Sequence, residues 1–366
     1  MVRKKIDKSV IAGIIALSLF LLGAISAFGQ QWETPTPGYV WSFPRDHANH
    51  PGQAVEWWYY TGHLLPTGAD ASDDEAWIHL QLTFFRSSLP GPNTHPLYFA
   101  HLAMSGGPLG EFAYAERIAR GTLGEAGADN AVYNLWLDDW RASLISGEHF
   151  LEAYDDETGG VRLLATPEME PVLNGEDGFS AKSEDDSSAS YYYSIPRMAA
   201  KGWVLPQNKD EIPIEVSGEL WMDHEFGNQR MEAGITGWDW WGLPLPDGGS
   251  LMFYLIRNQA GNPISKSEGV YVDASGQHHR VKRDEVQIET LDTWTSPHSG
   301  AAYPQGWRIT IPSFNLDLTV TPVCDDQELR TNRSTRVTYY EGAVKVRLAG
   351  VEKRSFGYVE LVGYAD

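Results

Sequence analysis

One cysteine, Cys324, stands in a chain of 366 residues, so no disulfide can form within it. Its neighbours Asp325 and Asp326 disfavour a thiolate, which argues against thiol catalysis and for a residue at the edge of a core. Positive charge is scarce: 28 Lys and Arg stand against 49 Asp and Glu, a net charge of −21. A surface of that sign repels phosphate backbones and anionic bilayers, so nucleic acid is not expected as a partner. Two hydrolase signatures are also missing. There is no Gly-x-Ser-x-Gly (Ser105 is followed by Gly106-Gly107 but preceded by Met104) and no His-Glu-x-x-His. His47 and His50 lie three apart, while His63, His79, His101 and His224 are scattered. No local spacing brings metal ligands together, and neither a metal nor any other cofactor is expected. Helical periodicity is nearly absent, with one weak candidate from Leu109 to Arg120.

What the chain does have begins at its N-terminus. Arg3, Lys4, Lys5 and Lys8 precede an apolar run from Val10 to Phe28, and Ala27 and Gly29 are small residues at cleavage-site spacing. Residues 1–29 read as a signal peptide cut before Gln30, or as an uncleaved anchor of nearly bilayer-spanning length. Either way the remainder is expected outside the cytoplasm, periplasmic or secreted, touching a membrane only through this segment.

Beyond residue 35 the pattern has period two. Phe314, Leu316, Leu318 and Val320 alternate with Asn315, Asp317 and Thr319, and Val344, Val346 and Leu348 alternate with Lys345 and Arg347. Turn residues recur at short intervals, as at Pro66-Thr67-Gly68 and Ala274-Ser275-Gly276. Many short strands with such spacing indicate an all-β sandwich or barrel, and 14 tryptophans suit two well-packed β cores. The length predicts two domains, 30–205 and 206–366, divided at the polar stretch 207–211, with Asn174 to Ser190 as a long solvated loop. A faint repeat supports this. Glu56-Trp57-Trp58-Tyr59-Tyr60 and Gly237-Trp238-Asp239-Trp240-Trp241 each precede a strand that ends in arginine.

Strand alternation puts Trp221, Asp223 and Glu225 on one face and His224 on the other, with Met222 and Phe226. Two nearby carboxylates beside an indole wall acquire raised pKa values, which suits a general acid. Trp238 and Trp240 share a face opposite Asp239 and Trp241, and Glu56, Trp58 and Tyr60 share another. Each of these groups fits either a ligand wall or plain core packing.

Three blocks carry a family resemblance. They are Phe43-Pro44-Arg45-Asp46-His47 with Glu56 to Gly62, Ser217 to Gly227, and Gly237 to Trp241 followed by Asp247-Gly248 and Leu251-Met252. In this order they resemble the AttH-like, carotenoid-hydratase-related lipocalin-like proteins, many of which are labelled predicted secreted hydrolases. The resemblance implies two lipocalin-like (calycin-type) antiparallel β-barrel domains packed together, with a pocket at or near their interface. It also implies protonation of an alkene to a cation that water captures. Asp223, His224 and Asp239 are then the donor candidates, and Trp58, Tyr60, Trp221, Glu225, Trp238 and Trp240 the ligand-binding ones. The expected function is an exported protein that binds an apolar isoprenoid, polyketide or lipid-like molecule, with hydratase- or cyclase-type acid catalysis. A carrier without turnover, and a hydrolase as the family label has it, stand as rivals. N-terminal sequencing of the exported protein is expected to begin at Gln30. A chain that begins upstream and sediments with membranes would identify an anchor.

Overall fold

The computed structural model describes residues 32–89, 95–228 and 234–365. The segment read above as a signal peptide or anchor lies outside the described residues. Among the described residues, no helix is long and apolar enough to cross a membrane, and the helical pieces are three-residue 3-10 turns. One of these, Gly107–Leu109, falls where the sequence hinted at a helix. The residues after it form the strand Ala113–Arg120, paired along Leu97–Gly106. Pairing along a preformed neighbour outweighs a weak local helical preference.

The strands form two antiparallel, barrel-like sheets, of thirteen and ten strands among the described residues. Both use the same order near their start. The opening strand Val55–Pro66 lies between Ile78–Ser87 and the last strand of its sheet, Ile214–Gly227. The opening strand Ile235–Pro244 lies likewise between Ser250–Asn258 and Arg354–Val362. The two tryptophan-rich segments that suggested a repeat occupy these two opening strands. The first sheet runs past residue 205, where the sequence placed the end of the first domain. Ile214–Gly227 pairs with both Val55–Pro66 and Ala189–Leu205, so the first sheet extends to Gly227 rather than ending at 205. The polar residues 207–211 are the tip of a hairpin, which carries the same sequence signal as a linker.

Period two assigns every strand residue to one of two environments. Trp58, Tyr60, Leu80, Leu102, Trp140, Leu163 and Met222 fill the first barrel, and Trp241, Phe253, Trp307, Leu318 and Val359 fill the second. The opposite faces meet in a third cluster that contains Tyr59, Tyr192, Trp221, Trp240, Met252, Tyr254 and Tyr358. Each such side chain contributes about 1.5–3 kcal/mol on burial, and those inside the two barrels are almost wholly excluded from solvent. The Asn174–Ser190 segment is also not the solvated loop its composition suggests. Asn174, Ser180, Ser183 and Ser188 are buried, with Asn174 Nδ2 donating to Ser194 Oγ at 2.8 Å and Ser180 Oγ 2.8 Å from the Tyr254 hydroxyl. Asn174 Nδ2 and Ser180 Oγ are thus hydrogen-bonded against the sheets, which offsets the cost of burying them.

Close strand approach requires glycine at Gly62, opposite Leu220. A Cβ there would lie 2.0 Å from Leu220 Cδ2 and 2.8 Å from the Glu219 carbonyl oxygen. Gly62→Ala is therefore expected to destabilise the protein by about 1–3 kcal/mol, read as a lower urea midpoint with an unchanged slope.

Candidate active site between the sheets

The strand Ile214–Gly227 has a barrel core on one side and the second sheet on the other. Its odd-numbered residues Trp221, Asp223 and Glu225 face the second sheet. Asp223 Oδ2 accepts a hydrogen bond from the Tyr192 hydroxyl at 2.5 Å, and Oδ1 accepts one from Trp221 Nε1 at 2.7 Å. Glu225 accepts from the Ser190 hydroxyl and pairs with Lys182 Nζ at 2.9 Å. From the second sheet, Trp240 Nε1 donates to the Tyr192 oxygen at 3.0 Å, and Trp238 Nε1 donates to Glu360 Oε1 at 2.8 Å. Glu360 stands directly across from Glu341, whose Oε1 accepts from the Tyr59 hydroxyl. Tyr59 is in turn the cross-strand partner of Asp223. Trp221, Asp223, Glu225, Trp238 and Trp240, all singled out in the sequence, thus meet in one place.

Burial dominates the electrostatics there. It pushes Asp223 up to about 7, against the hydrogen bonds from Ser194, Tyr192 and Trp221 that favour the anion. Burial also lifts Glu360 to about 7, helped by the charges of Asp223 and Glu225 and opposed by Trp238. Glu341 rises well above the usual carboxylate range, first through burial and then through Glu360. Two carboxylates paired across neighbouring strands cannot both ionise in so dry a place, so the Glu341–Glu360 pair holds a proton at neutral pH. Glu341 Oε2 has no other hydrogen-bond donor, which leaves that proton as the link between the two. The site can hold a proton donor, a carboxylate with three donors aimed at it, and the faces of indoles and phenols.

The remaining expected residues lie elsewhere. Trp58, Tyr60 and His224 point into the first barrel, behind the sheet, and do not share a wall with Trp221, Trp238 and Trp240. The indole of Trp58 stacks on the His224 ring at 4.9 Å, and the Tyr60 hydroxyl meets His149 Nδ1 at 2.9 Å. The reason is the pleat: a neighbour in sequence is on the opposite face. Asp239 faces away from Trp238 and Trp240 for the same reason. It pairs with Arg257 Nε at 3.2 Å and accepts from the Tyr364 hydroxyl at 3.0 Å. Burial raises it to about 6 in spite of Arg257. Sequence reasoning missed Tyr59, Tyr192, Glu341 and Glu360. Glu360 left a readable trace, because this half-buried carboxylate stands between the buried Tyr358 and Val362 on one face of its strand. Inside the first barrel, His50, Glu56 and His224 present ligand-type atoms that all lie within 4.8 Å of one another.

Comparison with known proteins agrees with this architecture. A family model described as AttH-like matches residues 34–364. An AttH protein of Nitrosomonas europaea is 30% identical and superposes with a TM-score of 0.81, over 91% of this chain and 100% of that one. Kievitone hydratase from Nectria haematococca shares the fold at 14% identity and a TM-score of 0.65, over 91% of this chain and 97% of that one. In sequence, dehydratase asqC of Emericella nidulans is 24% identical over 198 residues. That match covers 52% of this chain and 55% of asqC, so the chain spans about half the length of this curated relative.

The raised Asp223 has a signed consequence for stability. In the unfolded chain it ionises near its ordinary value, while in the folded protein it keeps its proton to about 7. Its contribution is therefore greatest in acid and declines as pH rises from about 4 to about 7. Relative to wild type, Asp223→Asn is expected to gain stability across that window by about 1.4 kcal/mol for each pH unit, as read by chemical denaturation at several pH values.

Proposed function

The chain belongs to the AttH-like family, and on that premise we propose that it is an exported hydratase- or dehydratase-type enzyme acting on an apolar, alkene-bearing small molecule of isoprenoid, polyketide or lipid-like class. The observation that carries the reading is the proton-holding Glu341–Glu360 pair facing Asp223 across an aromatic interface. The names of the relatives, a dehydratase and a hydratase, support it.

The roles follow from the hydrogen bonding. The Glu341–Glu360 pair is the acid: its shared proton passes to an alkene carbon and leaves a cation. Trp221 and Trp240 supply the π faces that stabilise such a charge. Asp223, with Tyr192, Trp221 and Ser194 directed at it, is the base that takes a proton from the incoming water. The reverse sequence removes water from an alcohol. Because the barrels are filled, the substrate is received between the sheets and not inside either barrel.

The test is turnover of isoprenoid and polyketide alkenes in heavy-oxygen water by the purified protein, with mass spectrometry of any ligand that co-purifies. Oxygen from the solvent is expected in the product. The rate should peak near pH 7, because the reaction needs Asp223 ionised and the glutamate pair protonated. Asp223→Asn and Glu341→Gln should each lower kcat by about 10²–10⁴-fold. A ligand that stays bound and unchanged would identify a carrier instead. Turnover that survives both substitutions would remove the site.

A further inference from the structure

The first barrel holds a second polar cluster, on the other face of the Ile214–Gly227 strand from the acids. We propose that His50, Glu56 and His224 form a binding site for a zinc-type divalent cation. The argument is a count of donors and acceptors. His224 Nδ1 lies 3.0 Å from the carbonyl oxygen of Asp46, which can only accept, and a neutral ring that donates there carries its lone pair on Nε2. The Tyr193 hydroxyl, 3.1 Å away, does not change this. It lies 2.6 Å from His47 Nδ1 and 3.5 Å from the Asp46 carbonyl oxygen, and with its proton directed to either it accepts from His224. His224 Nε2 is then a lone pair, and it faces Glu56 Oε1 at 2.9 Å, another acceptor.

His50 lies between the same two residues. Its Nε2 has an ion-pair contact, and no hydrogen bond, to Asp46 Oδ1 at 3.5 Å, and its Nδ1 lies 2.7 Å from the same Glu56 Oε1. With the proton on the Asp46 side, two imidazole lone pairs and a carboxylate oxygen converge on one point. The surroundings are those of a metal ligand set, in which outer partners fix each ligand's orientation. The backbone N–H of His50 and Arg86 Nε occupy Glu56 Oε2, at 2.9 and 3.2 Å, and so leave Oε1 free to coordinate. The Asp46 carbonyl stands ready to accept from His224 Nδ1, and Trp58 stacks on the His224 ring.

Two nitrogens and one carboxylate oxygen favour zinc over calcium or magnesium, which prefer all-oxygen sets. Zinc ligands stand roughly 3.4 Å apart around a tetrahedral ion, so Glu56 Oε1, 2.7 and 2.9 Å from the two ring nitrogens, must withdraw from both to admit one. The chain segments that meet here, residues 46–56 and Ile214–Gly227, are far apart in sequence. The ion would staple the entry segment to the central strand. This proposal is independent of the reaction assigned to the inter-sheet acids.

The experiment is zinc-edge anomalous diffraction from wild-type crystals grown with zinc, together with metal analysis and melting of the same protein in zinc and in EDTA. One zinc per chain is expected between His50 Nδ1, Glu56 Oε1 and His224 Nε2, with a lower Tm after EDTA. His224→Gln should abolish that peak. If the variant fails to fold, the wild-type map still decides. His279→Asn, at the surface cluster with Asp273, should leave the peak in place. No peak at the three atoms, or zinc at the surface histidines alone, overturns the proposal and leaves a shared proton in its place.

Discussion

The arrangement depends on carboxylates being buried where two sheets press together. A lone ionised carboxyl in such a place costs several kcal/mol, and a protein that required only stability would place leucine at positions 223, 341 and 360. The cost is limited here in two ways. Tyr192, Trp221, Tyr59 and Trp238 direct donors at the oxygens, and part of the charge is removed by keeping protons. Both devices need the aromatic residues to be where they are. The tyrosine and tryptophan bodies supply the apolar seal, and their O–H and N–H tips supply the hydrogen bonds. The high tryptophan content is thereby tied to the acids and not to packing alone.

The same strand serves two chemistries because a pleated strand has two faces. Asp223 and Glu225 meet the second sheet, while His224, between them, meets Glu56 inside the first barrel. Only a strand in the middle of its sheet, with a barrel core behind it and a second sheet in front, can bury polar groups on both sides. That position explains why the closing strand of the first sheet lies beside its opening strand. The return of the chain to the first strand brings Asp223 next to Tyr59 and His224 next to Trp58.

The features legible in the sequence were those that travel along it. Period two gave the all-β class, and the tryptophan-rich segments gave the two opening strands. The alternation of residues 221–225 correctly separated Asp223 from His224. Relations that depend on which strands become neighbours were not legible. Glu341 and Glu360 face each other through a pairing of two strands, and they meet Asp223 through the docking of two sheets. His50 and His224 converge across more than 170 residues, so no short spacing could announce them. The polar stretch 207–211 shows the opposite failure. Its composition is that of a linker, yet hairpin tips and linkers need the same residues for the same reason, exposure of backbone to water.

A lipocalin-like fold suggests a ligand held inside a barrel, and the packing here argues against that location. Trp58, Tyr60 and Trp140 in the first barrel, and Trp241 and Trp307 in the second, are all almost wholly excluded from solvent and make up the two cores. Emptying either barrel to admit a ligand would remove several of the largest apolar side chains, at about 3–5 kcal/mol for each aromatic lost. Separating two docked sheets breaks no strand pairing, because each sheet keeps its own hydrogen-bonded ladder. The interface is also where the polar groups are, and buried polar groups favour opening because water can replace their partners. Among the described residues, the seam between the sheets is where buried carboxylates and aromatic faces lie together without a strand pairing to hold them closed.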